Sequence, residues 1–184
     1  LGYPSYANSS SATGLLDASR GTFTAQLSTL NVGRTAWRGT AEGTLIMGTG
    51  TNITANTVNV GMGGTYEGGA TGTLDYCGGT LAFTGTDSSL NFGSGSLNVA
   101  TAATLTLGTT TNRLANLRIG YNLSGVDTAD TTLDLTNGTL TAYLGTELSI
   151  GRVTDVGWQA KADGSLILSS DDTINLGTLT APAT

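Results

Sequence analysis

Apolar and polar residues alternate in short runs along this chain, and the runs recur in a fixed order. One run has the form TLNVG (29–33), with related copies at 57–61, 89–93, 116–120 and 147–151. A second run resembles GTLIM (43–47), and a third resembles GTLTA (138–142). A period of two places every second side chain on one face of a strand, whereas a helix repeats its apolar positions every three or four residues. Each repeat therefore predicts three short strands.

The spacing of the second run gives the length of the repeat. The residue before its first inward leucine recurs at intervals of 29, 29, 31, 28 and 33 residues, at Leu15, Thr44, Thr73, Thr104, Thr132 and Ser165. Three strands in such a repeat are typical of one coil of a parallel β-helix, where each strand pairs with its counterparts in the neighbouring coils. We expect an all-β fold, a parallel β-helix (β-solenoid) of about six coils, as a single domain over residues 1–184. An antiparallel sandwich or barrel does not explain the ordered recurrence, and a propeller blade needs about 40–45 residues.

Aligning the repeats predicts ladders of inward side chains. The first run gives the ladder Val32, Val60, Phe92, Ile119 and Ile150. The second run gives Leu16, Leu45, Leu74, Leu105, Leu133 and Leu166, and the third gives Phe23, Ile53, Leu81, Leu114, Leu140 and Ile174. Because glycine tolerates positive φ, the glycine that ends each first run is expected to turn a corner of the coil: Gly33, Gly61, Gly93, Gly120 and Gly151.

Two columns of outward polar residues are candidates for a function. Asn31, Asn59 and Asn91 stand on successive coils, and we interpret them as a hydrogen-bonded structural ladder that ends at Arg118. Asp17, Asp75 and Asp134 share another position, with Ile46 and Thr106 in the coils between.

Two coils separate neighbouring aspartates of that column by about 9.6 Å. That distance is too long for sharing one Ca²⁺ and lies near the upper limit for the carboxylates of an inverting glycosidase. We therefore interpret them as solvated charges, and Asp75 and Asp134 remain the nearest candidates for a polysaccharide-active enzyme.

An aromatic residue stands seven residues before the Thr or Ser of three second runs: Trp37, Tyr66 and Trp158. Leu97 and Gly125 take this position in the intervening repeats. The aromatic residues predict a stack over one corner of the coil or, alternatively, a platform on which pyranose rings stack.

The composition excludes several classes of chemistry. Charged residues make up 11% of the chain, well below the usual quarter, and the net charge is −6 with seven scattered basic residues. A nucleic-acid partner is not expected, because it needs clustered basic residues. There is no histidine, and Cys77 stands alone, so no histidine-based catalysis, metal centre, cofactor or disulfide is expected. No apolar run is long enough to predict membrane insertion of this segment. Glycosylation is left open at four sequons, at Asn8, Asn52, Asn122 and Asn137.

The segment GTLIMGTGTNITANTVNVGMGGTYEGGATGTLDY (43–76) resembles the Gly- and Thr-rich repeats of bacterial autotransporter passenger domains and related large surface proteins. The resemblance implies a secreted or cell-surface β-helix without a catalytic motif. Leu1–Gly2 and TLTAP (178–182) read as incomplete further copies, so we expect a segment of a longer array or a polymerising subunit. The leading hypothesis is a non-enzymatic extracellular fibre, stalk or surface layer that associates with itself end to end or laterally. The alternatives are a carbohydrate-binding adhesin segment and a polysaccharide-active enzyme.

Overall fold

A computed structural model describes residues 1–2, 11–35, 39–64, 68–123, 128–154 and 160–177 of the protein. The described chain is built of β-strands and turns. The strands are β1 (Ser11–Ala18), β2 (Phe23–Arg34), β3 (Gly39–Met47), β4 (Thr51–Met62), β5 (Gly68–Tyr76), β6 (Thr80–Phe83), β7 (Ser89–Phe92), β8 (Gly95–Val99), β9 (Thr104–Leu107), β10 (Leu114–Asn122), β11 (Thr128–Asp134), β12 (Thr139–Val153), β13 (Lys161–Ile167) and β14 (Thr173–Leu176).

The strands stack in parallel as a β-solenoid of about five turns, which confirms the predicted fold class with a slightly lower coil count. One sheet has the order β1-β3-β5-β8, and β11 pairs with β13 in a second. The third sheet runs β14-β12-β10-β7-β4-β2, with β6 beside β4 and β9 beside β12. In β2, β4 and β12 the third and first runs form one long strand, so these turns have two strands where three were expected.

The inward side chains form a continuous core along the stack. The predicted ladder from Val32 to Ile150 is confirmed at every step by the strand register. Val32, Val60, Phe92 and Ile119 are fully buried. Burying each such side chain contributes about 1.5–3 kcal/mol. Since each turn packs only against its neighbours, this core stabilises the fold turn by turn.

The predicted ladders of the second and third runs are wrong in the fourth turn. Leu74 pairs with Leu97, not with Leu105, and Leu105 pairs with Leu140. Leu114 pairs with Leu144. The cause is a missing loop: β8 begins two residues after Gly93, so TLTL (104–107) belongs to the third run and not to the second. Leu97 is therefore a buried core residue and does not occupy the position of the aromatic residues.

The third ladder is also shifted by two residues at both ends. Ile53 pairs with Ala25 in place of Phe23, and Ile174 pairs with Ala142 in place of Leu140. A shift of two keeps the same face of the strand inward, so the core pattern survives the change of register.

No helix in the described ranges has the length and apolarity needed to cross a lipid bilayer.

Candidate functional site

A lobe projects from most turns at the corner between the first and second runs. The chain leaves the coil after the corner glycine and returns at the start of the next second run. We call the strand end that leaves the coil the outgoing arm and the strand start that comes back to it the returning arm. Arg34 in one outgoing arm pairs with Met62 in the outgoing arm of the next turn. Ala41 in one returning arm pairs with Ala70 in the returning arm of the next turn. Met62 and Ala41 are buried, so the lobes have a small core of their own.

Each lobe is closed at its base by close contact between two backbone segments. Gly33, Gly61, Gly120 and Gly151 have φ between +63° and +67°, whereas Gly93 has no positive φ because the chain passes it without forming a lobe. A Cβ on Gly72 would overlap the backbone nitrogen of Gly61. We call this line of contacts the glycine seam: its returning members are Gly14, Gly43, Gly72, Gly95, Thr131 and Gly164. Only the smallest side chain fits most of these positions, which explains the glycine at the start of GTL.

The three aromatic residues proposed for glycan stacking, Trp37, Tyr66 and Trp158, lie outside the described residues, as does Gly125. Glycan stacking on them stays a prediction.

The asparagine column forms a hydrogen-bonded ladder. Asn59 Nδ2 donates to Asn31 Oδ1 and Asn91 Nδ2 donates to Asn59 Oδ1, both at 2.9 Å. These side chains lie on the sheet face opposite Val58 and Val60, yet Asn59 and Asn91 are buried. The column therefore has internal hydrogen-bond partners that fix the register of three turns.

Arg118 extends the asparagine ladder into an ionic cluster. Its Nη1 donates to Asn91 Oδ1 at 3.2 Å and its Nε to Glu147 Oε2 at 2.8 Å. Arg152 also forms an ion pair with Glu147, and the Arg118 guanidinium lies 5.0 Å from the ring centroid of Tyr121. Burial raises the pKa of Glu147, but the hydrogen bonds from Arg152 and Arg118 outweigh burial and hold that pKa below its ordinary value. The carboxylate is thus held ionised as a structural partner.

Asp17 and Asp134 accept hydrogen bonds within turns, and Asp75 accepts one from a neighbouring strand. Hydrogen bonds from Ser19 lower the pKa of Asp17, and hydrogen bonds from Thr136 lower that of Asp134. Asp75 pairs with Asn98, where Thr106 was expected, and accepts a 2.6 Å hydrogen bond from the Asn98 side chain. Two levels of the stack separate Asp75 from Asp134, so the two carboxylates do not converge. Within the described ranges, no three Cys, Asp or Glu side chains come together as a metal site.

The thiol and the sequons differ in accessibility. Cys77 is exposed, and so are Asn52 and Asn137. Asn122 is buried and its Nδ2 donates to the carbonyl of Lys161 at 2.8 Å, so its folded conformation does not accommodate a glycan. Asn8 lies outside the described residues.

The last described turn exposes side chains that belong to the core ladders. Ile150 is 47% exposed, whereas its partner Ile119 is fully buried. Leu176 is 65% exposed although it pairs with the buried Leu144. Leu168 lies one residue beyond Ile167, the partner of Asp134, and is 43% exposed. We call Ile150, Leu168 and Leu176 the open-turn residues; they present the cross-section of a solenoid core at one end of the described stack.

A comparison with known proteins found no matching family model, no matching curated protein and no matching solved structure. The surfaces described above are therefore interpreted from the chain itself. Sequence reasoning missed the open-turn residues as a group, because alternation shows that they point inward but not how much of each side chain stays exposed.

Proposed function

We propose that the protein is a structural, extracellular β-solenoid that builds a fibre, stalk or surface layer by stacking its open turn against another coil. The observation that carries this proposal is the exposure of the open-turn residues, which occupy core ladders. In every interior turn the corresponding positions are covered by the next coil, so the surface that fits the open turn is a coil of the same shape.

The direction of stacking favours an extended assembly. All strand pairs among the described residues are parallel, so the edge at the last described turn differs from the edge at the first described turn. A contact between unlike surfaces is head-to-tail, and it gives an open filament unless a rotation closes it into a ring. Leu16 and Leu30 of the first described turn are only partly buried, whereas Leu45 and Val58, which pair with them in the next turn, are fully buried.

The strength of one such contact is modest. Each open-turn residue is about half exposed, so complete burial adds about 1 kcal/mol per side chain. Pairing along β13 and β14 adds backbone hydrogen bonds, each with a net value of about 1 kcal/mol. The cost of bringing two molecules together is several kcal/mol, so association is expected to depend strongly on protein concentration.

Analytical ultracentrifugation over a range of concentrations, with negative-stain electron microscopy, tests the proposal. The chain offers a matched pair of variants: Leu168→Asp changes an inward open-turn residue, and Ile167→Asp changes its outward neighbour of nearly equal exposure, 44% against 43%. We expect association that Leu168→Asp abolishes and Ile167→Asp preserves. A chain that stays monomeric at all concentrations, or variants with equal effects, would contradict stacking at this turn.

A further inference from the structure

The chain contains one Asn-Gly step, Asn137-Gly138, in the turn that joins β11 to β12. Each of the other eleven asparagines is followed by a residue that has a side chain. Glycine has no Cβ, so nothing on residue 138 shields its backbone nitrogen from the side-chain amide carbon of Asn137. The sequence therefore marks Asn137 as the asparagine whose amide carbon is most open to attack by the next nitrogen.

The structure leaves the Asn137 side chain free to react. Asn137 is exposed, and no described residue forms a hydrogen bond with its side-chain amide. The turn is held at its two ends, where Leu135 N donates to the carbonyl of Ile167 and Thr139 N donates to the carbonyl of Ala103, both at 3.0 Å. Asn137 itself lies between these bonds and belongs to no strand. Its side chain can therefore approach the next nitrogen without breaking a strand ladder.

Two other exposed asparagines are held more firmly. Asn52 lies inside β4 and pairs with β2 on one side and β6 on the other. Asn112 lies in a bend, but its Nδ2 donates to the carbonyl oxygen of Phe83 at 2.9 Å. Exposure alone thus does not distinguish Asn137, whereas exposure together with a free amide and a following glycine does.

The one Asp-Gly step of the chain, Asp163-Gly164, has the same bonding pattern but a closed environment. It lies inside β13, where Asp163 pairs with Asp130 of β11. A side chain in a strand stands roughly perpendicular to the sheet, away from the next backbone nitrogen. A Cβ on Gly164 would lie 2.6 Å from the Ile119 carbonyl oxygen and 2.7 Å from the nitrogen of Gly151. Ring closure at Asp163 therefore requires the strand and the glycine seam to open.

The reaction at Asn137 balances with water as the co-reactant. The Gly138 nitrogen forms a bond to Cγ of Asn137, the Cγ–Nδ2 bond breaks, and the proton from the attacking nitrogen leaves with Nδ2 as ammonia. Water then opens the five-membered succinimide ring. Cleavage between Cγ and the Gly138 nitrogen gives aspartate. Cleavage between the main-chain carbonyl carbon and that nitrogen gives isoaspartate, in which the backbone runs through the former side chain.

We propose that Asn137 is a site of spontaneous deamidation in the folded protein, with the Gly138 nitrogen as nucleophile, and that the fold protects Asp163 from the corresponding isomerisation. Asparagine is among the chemically labile residues, and the local conformation decides whether its amide carbon and the next nitrogen can meet. The reaction needs one molecule only, so it is independent of the stacking proposed above.

Peptide mapping by mass spectrometry tests the proposal on the whole chain, produced without N-glycosylation because a glycan on Nδ2 would modify the leaving group. Folded protein is incubated at two pH values one unit apart, beside the same chain unfolded in guanidinium chloride. Deamidation adds about 1 Da to the peptide that contains Asn137. Chromatography separates the aspartate and isoaspartate forms of each peptide.

We expect deamidation of Asn137 in the folded protein, while Asn52 and Asn112 stay intact. The rate should rise about ten-fold for one pH unit, because the attacking form is the deprotonated nitrogen and its fraction rises in that proportion far below its pKa. Asn137→Gln is the control variant, since it keeps an exposed amide but needs a larger ring, and the mass increase at this position should disappear. Isoaspartate at Asp163 should form in the unfolded chain and not in the folded protein.

Three results would overturn the proposal. The first is an Asn137 that stays intact in the folded protein. The second is deamidation of Asn52 or Asn112 as fast as that of Asn137, which would show that the glycine and the free amide do not decide. The third is isoaspartate at Asp163 in equal amounts in the folded and unfolded chains, which would show that the strand gives no protection. All three are measured on the wild-type chain, so they stand whether or not the glutamine variant folds.

Discussion

Replacing Gly72 by alanine should destabilise the solenoid, whereas the same change at Gly69, three residues earlier in β5, should not. A Cβ on Gly72 would overlap the backbone nitrogen of Gly61 and the carbonyl oxygen of Val32, and it would lie 2.8 Å from Val60 Cγ1. Two of these neighbours are backbone atoms on separate strands, so relief requires a shift of the seam itself. A Cβ on Gly69 would find its nearest neighbour, Thr40 Cγ2, at an ordinary 3.8 Å.

The magnitudes follow from these contacts. Overpacking costs about 1–3 kcal/mol, and the rigid backbone neighbours place Gly72→Ala at the upper end, about 3 kcal/mol. Gly69→Ala should gain about 0.5 kcal/mol, because alanine loses less backbone entropy in a strand. At about 2–4 °C per kcal/mol for a chain of this size, Gly72→Ala lowers Tm by about 6–12 °C.

Far-UV circular dichroism melts and urea titrations of both variants measure the difference in the free energy of unfolding. Gly69→Ala is the control, since it adds the same methyl group to the same strand. If the two variants differ by less than about 1 kcal/mol, the seam tolerates a side chain and the explanation of its glycines is wrong.

Further predictions concern the core and the ionic cluster. Phe92→Ala should lower the free energy of unfolding by about 3–5 kcal/mol in urea titrations, and Ile150→Ala, in the same ladder but half exposed, by about 1 kcal/mol; equal losses would contradict an open last turn. Arg118→Met should cost about 1–3 kcal/mol in the same assay, because Glu147 and Asn91 each lose a donor, and no loss would show that the cluster adds nothing to stability. Since the pKa of Glu147 is lowered on folding, its stabilisation is present above its ordinary pKa of 4.5 and is lost as the pH falls through the lower value of the folded state. Melts between about pH 6 and pH 3 should therefore show a steeper acid loss in the wild type than in Glu147→Gln, and parallel curves would count against this assignment.

The first-run ladders could be predicted from the sequence because every copy carries the same alternation and ends at a corner glycine. Val32 and Val60 pair as the alignment requires, and so do Asn31 and Asn59. In a parallel stack, equal positions in successive repeats become neighbours, so the period of the sequence determines the register of the strands.

The fourth turn could not be predicted from spacing, because the length of a lobe does not affect closure of the coil. When the lobe is absent, the second run follows Gly93 at once, and a later TLTL imitates the expected motif. Gly95-Ser96-Leu97 does carry the required signal, since it repeats the Gly-Ser-Leu of residues 164–166, whereas Ala103 precedes Thr104. Because the seam excludes most side chains, the glycine before Ser96 and Leu97 predicts the strand register better than the apolar pattern does.

The gap between the returning arms of β5 and β11 follows from the same omission, and the sequence did not predict it for the same reason. A missing lobe is a gap in space only if the lobes on either side keep their places. Here Thr131 fills the seam position, and its hydroxyl accepts from the nitrogen of Gly95 at 3.3 Å and donates to the carbonyl of Gly93. These bonds, with those of the Ser94 hydroxyl to the Thr128 carbonyl and the Asp130 N–H, hold β11 at its level without a lobe between β5 and β11. Sequence alone does not reveal that a threonine can replace a lobe's contacts.

Assembly and stability are coupled in this fold, which gives the stacking proposal a second, independent consequence. The interior turns bury their ladder residues on both sides, whereas Ile150, Leu168 and Leu176 have ladder neighbours on one side only among the described residues. In a nearest-neighbour stack such a turn has the lowest local stability and opens first. A further coil that binds the folded turn but not the opened one stabilises it by mass action. Amide hydrogen exchange at β14 should therefore slow as protein concentration rises, while exchange at β4 stays constant. Exchange at β14 that is independent of concentration would separate the open turn from assembly.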